Sequence, residues 1–156
     1  MGLSQASTLR GVAAAAALLA AVLLAACEPS QGAASHRATL VATGPASIKI
    51  LPSAGQPPYC LVFTVSEKGI VRQLTMSPSN ESIPCAAGQP IGDTEYRIPP
   101  AEGKVRIHVI LSDRKLDATP IAQQVRELGK SPTFSAMDLR APGRVLLETL
   151  ELTPQP

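Results

Sequence analysis

The segment Tyr59-Cys60-Leu61-Val62-Phe63-Thr64-Val65 decides the fold of this chain. Most of its residues are β-branched or aromatic, and such residues favour extended structure. Apolar residues stand at both odd and even positions, so both faces of the strand are expected to be buried. The segment therefore predicts a central strand.

A hairpin partner and a strand pair flank this segment. After the turn Glu67-Lys68-Gly69, residues 70–76 are predicted to return beside the central strand. Before it, residues 37–42 and 46–51 are predicted to pair around the turn Thr43-Gly44-Pro45. Antiparallel pairing between neighbouring strands is therefore the expected organisation.

Residues 104–111 predict another strand, with alternating apolar and polar positions. One face carries Val105, Ile107, Val109 and Leu111, and the opposite face carries Arg106 and His108. A strand of this kind is half buried. The alternation therefore predicts that His108 points into solvent.

One helix is predicted, over residues 116–129. Thr119 suits the N-cap, Pro120 suits the first helical position, and Gly129 suits the end of the helix. The apolar stripe consists of Ile121, Val125 and Leu128. The helix is therefore expected to cover the core with one face.

The closing strand is predicted over residues 144–152, with Leu146, Leu150 and Leu152 on its inner face. That alternation leaves Glu148 on the inner face as well. Either a bulge corrects the register or the strand has a different phase.

These elements predict a mainly β fold, an antiparallel β-sandwich-like domain with one amphipathic helix before the last strand. The domain is expected to cover residues 37–153, followed by a disordered end at residues 154–156. Residues 77–92, rich in proline and glycine, are expected to form a loop.

The N-terminal part has the layout of a secretory signal. Residues 12–26 carry no charge and follow Arg10, the one cation before them. This run is shorter than the roughly 20 apolar residues that cross a bilayer as a helix, so a signal peptide is expected rather than a permanent span.

The apolar run closes with Leu24-Ala25-Ala26-Cys27. Leu24 is too large for the position that an ordinary signal peptidase reads three residues before its cut. The four residues resemble the lipobox of bacterial lipoproteins, in which the cysteine receives a diacylglyceryl group and becomes the mature N-terminus. The resemblance implies a signal peptide at residues 1–26 and a lipidated tether at residues 27–36.

The alternative is a plain signal peptide cleaved elsewhere in the alanine-rich tract, with Cys27 as an ordinary third cysteine. In lipoproteins of enteric bacteria, an aspartate just after the cysteine retains the protein at the inner membrane. Glu28 stands at that position here. The resemblance therefore points to the outer membrane, with the membrane itself as one partner and an envelope protein as another.

With Cys27 assigned to lipid, Cys60 and Cys85 remain, and an oxidising compartment favours a disulfide between them. A redox-active or metal-binding pair is the alternative, but the pair lacks a Cys-x-x-Cys spacing and neighbouring histidines. A disulfide is therefore predicted.

Composition excludes several classes of function. Without the signal peptide, basic residues exceed acidic ones by one, and the chain has only four aromatic residues. Such a balance gives no reason to expect nucleic acid as a partner. The sequence also lacks the common catalytic, phosphate-cradling and calcium-binding motifs, so no catalytic residue, metal site or cofactor is predicted.

Two local features remain as candidate sites. His108 and Asp113 would serve a small envelope enzyme or a ligand carrier. Arg114 and Lys115 belong to the densest charge cluster and would suit an anionic headgroup or an acidic partner. A solvated turn is the simpler interpretation of that cluster.

Residues 93–97 and 103–116, with the helix and last strand that follow, loosely resemble a β-rich accessory module of bacterial envelope and kinase-associated proteins. That family offers no catalytic residues to transfer. The expected function is a lipid-anchored, non-catalytic accessory or binding module of the cell envelope. It predicts a shallow surface patch and no cleft with converging ionisable groups, while an enzyme, a carrier or a structural subunit of an envelope complex are the alternatives.

Overall fold

The computed structural model describes residues 36–155. The predicted signal peptide, the lipobox with Cys27, and residues 28–35 of the predicted tether lie outside the described residues. The part described belongs to one compact unit, His36–Pro156.

The described residues form eight strands and one α-helix. In chain order these are β1 (Ala38–Gly44), β2 (Ser47–Pro52), β3 (Tyr59–Ser66), β4 (Val71–Gln73), β5 (Ile83–Pro84), β6 (Tyr96–Arg97), β7 (Val105–Ser112), α1 (Ala118–Leu128) and β8 (Val145–Leu152). The first sheet has the order β1-β2-β6, and the second has the order β4-β3-β7-β8 with β5 also paired to β3. All pairs are antiparallel, which confirms the predicted sandwich-like fold with one helix before the last strand.

The domain has three layers, because the second sheet is covered on both faces. Cys60 and Val62 of β3 pack toward the first sheet, where Ile48 and Ile50 of β2 meet them. The other face of the second sheet packs against the helix. The residues of this second cluster are Leu61, Phe63, Val65, Ile110, Leu116, Ala118, Ile121, Val125, Phe134 and Leu139. The predicted burial of β3 on both faces is therefore confirmed, and the helix is its cause on one side.

The N-cap of the helix lies two residues before the predicted one, Thr119. Asp117 is the N-cap, and its Oδ1 accepts a hydrogen bond from Thr119 N at 2.8 Å. Pro120 therefore occupies the third helical position, where its missing N–H is still among the unpaired donors of the first turn. Thr119 was the wrong cap because a better acceptor lies two residues before it.

The predicted solvent exposure of His108 is wrong. The helix layer covers the face of β7 that carries His108 and Ile110, and His108 is only 1% exposed. Alternation along β7 was correct, but the second face is buried under α1 and Phe134.

Strand β8 pairs with β7 in one unbroken register, from Val105 opposite Leu152 to Ser112 opposite Val145. No bulge corrects the position of Glu148. Its carboxylate stays on the face toward the first sheet, where it accepts from His36 Nδ1 at 2.8 Å and from Arg37 N at 3.2 Å. The start of β1 is therefore bound to the middle of β8.

Cys60 and Cys85 are bonded to each other, as predicted, with Cα atoms 5.9 Å apart. The bond attaches the proline-rich loop to the start of β3, and Cys85 N also donates to Pro58 O. In the chain-entropy model, closing a loop of this length contributes roughly 3.5 kcal/mol to stability.

Two residues after β8 contact the domain. Pro154 is buried, and Gln155 N donates to Pro45 O at 2.8 Å. The chain therefore returns to the turn between β1 and β2.

Candidate functional site

His108 is a buried side chain with both ring nitrogens occupied. Nε2 lies 3.2 Å from Gly129 O, and Nδ1 lies 3.0 Å from Thr149 Oγ1. A carbonyl only accepts, so Nε2 carries the hydrogen and the Nδ1 of the neutral ring accepts from the Thr149 hydroxyl. The ring also packs edge-on against Phe134, with centroids 5.0 Å apart.

The environment of His108 favours its neutral form. Burial lowers the pKa of His108 below 6.5, and the positive charge of Arg106 acts in the same direction. The hydrogen bond to Gly129 opposes them by raising that pKa. His108 therefore binds a carbonyl left unpaired at the end of α1, which is a structural role.

His108 and Asp113 do not form one site. They lie five residues apart along β7 and its following loop, a distance of about 16 Å in an extended strand. Asp113 Oδ1 instead accepts from Arg144 N at 2.9 Å and supports the turn before β8. No carboxylate lies within hydrogen-bonding distance of His108 among residues 36–155.

Arg114 and Lys115 are exposed. Each lies at the limit of an ion pair with a nearby acid: Arg114 Nε is 4.0 Å from Asp113 Oδ1, and Lys115 Nζ is 3.9 Å from Glu81 Oε2. The loop is stabilised by a hydrogen bond from the Ser112 side chain, whose Oγ donates to the backbone carbonyl Arg114 O. The cluster is therefore of mixed charge rather than a basic patch.

A cavity of about 300 Å³ lies where β3 ends, β7 begins and β8 ends. We call it the charged cavity. Its lining consists of Val65, Ser66, Glu67, Lys104, Arg106, Lys130 and Glu151. The expectation that no cleft would bring ionisable groups together is wrong, because five charged side chains line this one.

Two of the charges in the charged cavity neutralise each other. Lys104 Nζ lies 2.6 Å from Glu151 Oε2. The hydrogen bond from Lys104 lowers the pKa of Glu151, desolvation opposes it by raising that pKa, and the charges of Lys104 and Arg106 lower it further. Glu151 is therefore ionised and paired at neutral pH.

Arg106 is oriented by the end of the helix. Its Nη1 donates to Lys130 O at 2.8 Å and, more weakly, to Gly129 O at 3.4 Å. Lys130 itself bends over the turn after β3, where its Nζ occupies the space that a Cβ at Gly69 would take. Gly69 has φ of 78°, so glycine suits this turn for its backbone conformation as well.

A second, more open depression of about 330 Å³ lies beside the disulfide. Its lining includes Pro58, Pro84, Cys85 and Pro90, with Asp93 as its charged residue. The depression is open to solvent and of mixed polarity.

Sequence patterns did not predict the charged cavity. Its residues come from the ends of three strands, from the turns beside them and from the segment after α1, and they form no local motif. Only Glu67 and Lys104 could be placed from the sequence, because they stand at turns beside strand ends.

The described residues hold no helix that is long and apolar enough to cross a membrane. Between residues 36 and 155, no three His, Cys, Asp or Glu side chains come together in a way that could hold a metal ion.

Comparison with known proteins gives no assignment. No family model matches the chain, and no similar curated protein or solved structure was found.

Proposed function

We propose that this protein is a lipid-anchored, non-catalytic binding or accessory module of the bacterial cell envelope. The observation that carries the proposal is the lipobox-like Leu24-Ala25-Ala26-Cys27 at the end of an uncharged apolar run. Two or more acyl chains on Cys27 would anchor the mature protein stably.

The disulfide supports this assignment of Cys27. Cys60 and Cys85 are bonded to each other, so they leave Cys27 without a cysteine partner within the chain. A disulfide is also typical of an exported protein. The third thiol is then available for a thioether to lipid.

The start of the domain supports a position close to the bilayer. Glu148 holds His36 and Arg37, and Ser53 N donates to Arg37 O at 2.9 Å. About eight residues separate Cys27 from this fixed point, and even a fully extended chain of that length reaches no more than roughly 29 Å. The domain would therefore stay beside the membrane surface.

His108 supports a binding role over the enzymatic alternative. Both of its ring nitrogens are engaged, and Asp113 is occupied with the turn before β8. The proline-lined depression and the charged cavity offer surfaces for recognition instead. A structural subunit of an envelope complex remains the second candidate, supported by the same short tether.

Lipidation is tested by expressing the full chain in a bacterium with an outer membrane and measuring the mass of the mature protein. We expect an N-terminus at Cys27 that carries a diacylglyceryl group, and recovery in the membrane fraction. The Cys27→Ser variant is the matched control, which should lose the modification. Recovery of the wild type as a soluble protein with a free Cys27 thiol would overturn the proposal.

The membrane is identified by density-gradient separation of inner and outer membranes. We expect the wild type in the outer membrane, and the Glu28→Asp variant shifted toward the inner membrane in an enteric host. The structural-subunit candidate predicts co-purification in a complex of fixed stoichiometry after mild solubilisation. A monodisperse monomer under those conditions would favour the binding module.

A further inference from the structure

Two cations in the charged cavity have no carboxylate partner. Glu151 is taken by Lys104, although Arg106 stands directly opposite Glu151 in the β7–β8 register. Within the described part of the chain, no carboxylate oxygen lies within 4.0 Å of Arg106 or Lys130. The lining has three cations and two carboxylates, so the cavity is net positive, and neither Arg106 nor Lys130 forms an ion pair within it.

The guanidinium of Arg106 is held in place before any ligand binds. Nη1 donates to the carbonyls of Gly129 and Lys130, which leaves the other guanidinium hydrogens for an acceptor. A planar, preorganised guanidinium loses little freedom on binding an oxyanion. Arg106 is therefore suited to bind a phosphate oxygen rather than only to balance charge.

Ser66 supplies a third donor from another element. This side chain is 4% exposed and lines the cavity at the end of β3. Its Oγ accepts from Ile70 N at 3.0 Å, so the hydroxyl hydrogen remains available to donate. Arginine, lysine and serine thus approach the cavity from β7, from the segment after α1, and from β3.

We propose that the charged cavity binds one phosphate group, held by Arg106, Lys130 and Ser66. A tetrahedral oxyanion presents an oxygen to each of three donors on different sides, which a planar carboxylate does less well. The volume of about 300 Å³ leaves room for a small organic part. The carboxylate of Glu67, also in the lining, suits a hydroxyl of that part as a hydrogen-bond acceptor.

This inference rests on the binding role proposed above, because it names the class of ligand. The phosphate could belong to a soluble phosphate monoester or to a lipid headgroup at the membrane surface. The two sources share one chemistry, so the experiment compares them directly.

The test is an NMR titration of the ¹⁵N-labelled mature protein, in nonionic detergent and a phosphate-free buffer of constant ionic strength. Inorganic phosphate and glycerol 1-phosphate are the soluble probes. Nanodiscs of phosphatidylglycerol, compared with nanodiscs of phosphatidylcholine, probe the headgroup. We expect saturable shifts of the amides of Ser66, Arg106 and Lys130.

Lys130→Gln is the main variant, because its side chain is exposed and the change should not affect folding. We expect binding about fivefold weaker, the effect of losing one partly exposed charge-assisted hydrogen bond. Lys68→Gln is the matched control, since Lys68 lies in the adjacent turn, donates to Ala101 O and does not line the cavity. It should bind like the wild type.

Saturable shifts with the soluble probes support a phosphate monoester, and shifts found only in phosphatidylglycerol nanodiscs support a headgroup. No saturable shift in either arm, or equal weakening by Lys130→Gln and Lys68→Gln, would overturn the site. A negative titration would leave lipidation intact, because the mass of the Cys27 terminus is measured separately.

Discussion

His108 and Thr149 face each other across the β7–β8 ladder, with Nδ1 3.0 Å from the threonine hydroxyl oxygen. On its other side the ring donates to Gly129 O at the end of α1. One side chain therefore joins the second sheet to the helix that covers it.

The buried imidazole predicts a loss of stability in mild acid. The pKa of His108 is lowered in the folded state, so the unfolded chain binds more protons between that pKa and about 6.5. The contribution of neutral His108 to the free energy of unfolding is complete above about pH 6.5. It decreases as the pH falls toward the pKa of His108 in the folded state. Urea unfolding at pH 7.5 and 5.5 measures the difference.

The background for this measurement is His36→Gln, which leaves His108 as the remaining histidine of the two in the chain. Adding His108→Gln should reduce the difference in the free energy of unfolding between the two pH values. An unchanged slope in the double variant would assign the acid sensitivity to other groups.

Glu148 predicts a local weakness at the start of the domain. Its side chain is 11% exposed and accepts from both His36 Nδ1 and Arg37 N. Glu148→Ala should cost about 1–3 kcal/mol, because it leaves a part-buried amide without its acceptor. Limited proteolysis should then cut near residue 37 faster than in the wild type.

Glu151→Ala is the control for that variant, since Glu151 is a carboxylate on the same strand whose side chain is 56% exposed. Its unfolding midpoint should match the wild type. Equal loss of stability in both variants would show that the strand, not the contact with β1, is sensitive to the change.

Arg72 and Glu102 form an ion pair in which only the arginine reaches solvent. The Glu102 side chain is 4% exposed, and its Oε2 has no hydrogen-bond partner among the described residues, while Arg72 is 51% exposed. Arg72→Ala should destabilise the protein by about 2–3 kcal/mol, because it leaves a buried carboxylate without its cation.

The double variant Arg72→Ala with Glu102→Leu tests this cause. It should recover most of the loss, since no buried charge remains. Additive losses in a urea-unfolding cycle of the four proteins would contradict the explanation and point to packing at residue 102.

The two candidate caps of α1 differ in a measurable way. Asp117→Ala removes the acceptor for Thr119 N and should cost about 1 kcal/mol. Thr119→Ala removes an exposed contact with Asn80 Nδ2 and should cost less than about 0.5 kcal/mol. Thermal unfolding of both variants checks the order, and the reverse order would restore Thr119 as the cap.

Local patterns were sufficient where a residue's neighbours in sequence determine its environment. The apolar run in β3 and the turns at residues 43–45 and 67–69 predicted a buried strand and its flanking pairs. Alternation along β7 placed His108 on the correct face. It could not show that α1 and Phe134, which come later in the chain, bury that face.

The charged cavity also depends on contacts between distant segments, which local sequence patterns do not predict. Ser66 ends β3, Arg106 lies near the start of β7, and Lys130 follows α1, so only the packing of helix on sheet brings them together. None of these residues has a sequence context that indicates a binding site. The position of Glu148 was predicted, but its partners were not, because His36 and Arg37 lie more than a hundred residues earlier.

Cys60 has no exposed surface, since it lies between the two sheets at the start of β3. In the folded chain an oxidant reaches the pair through Cys85, which is half-buried, and Cys60 closes the bond by displacing the oxidant from the Cys85 sulfur. Recombinant production is best carried out in a host that exports the chain to an oxidising space. In protein folded in a reducing cytosol, Cys60 and Cys85 would remain thiols, and air would oxidise them slowly because only Cys85 is accessible.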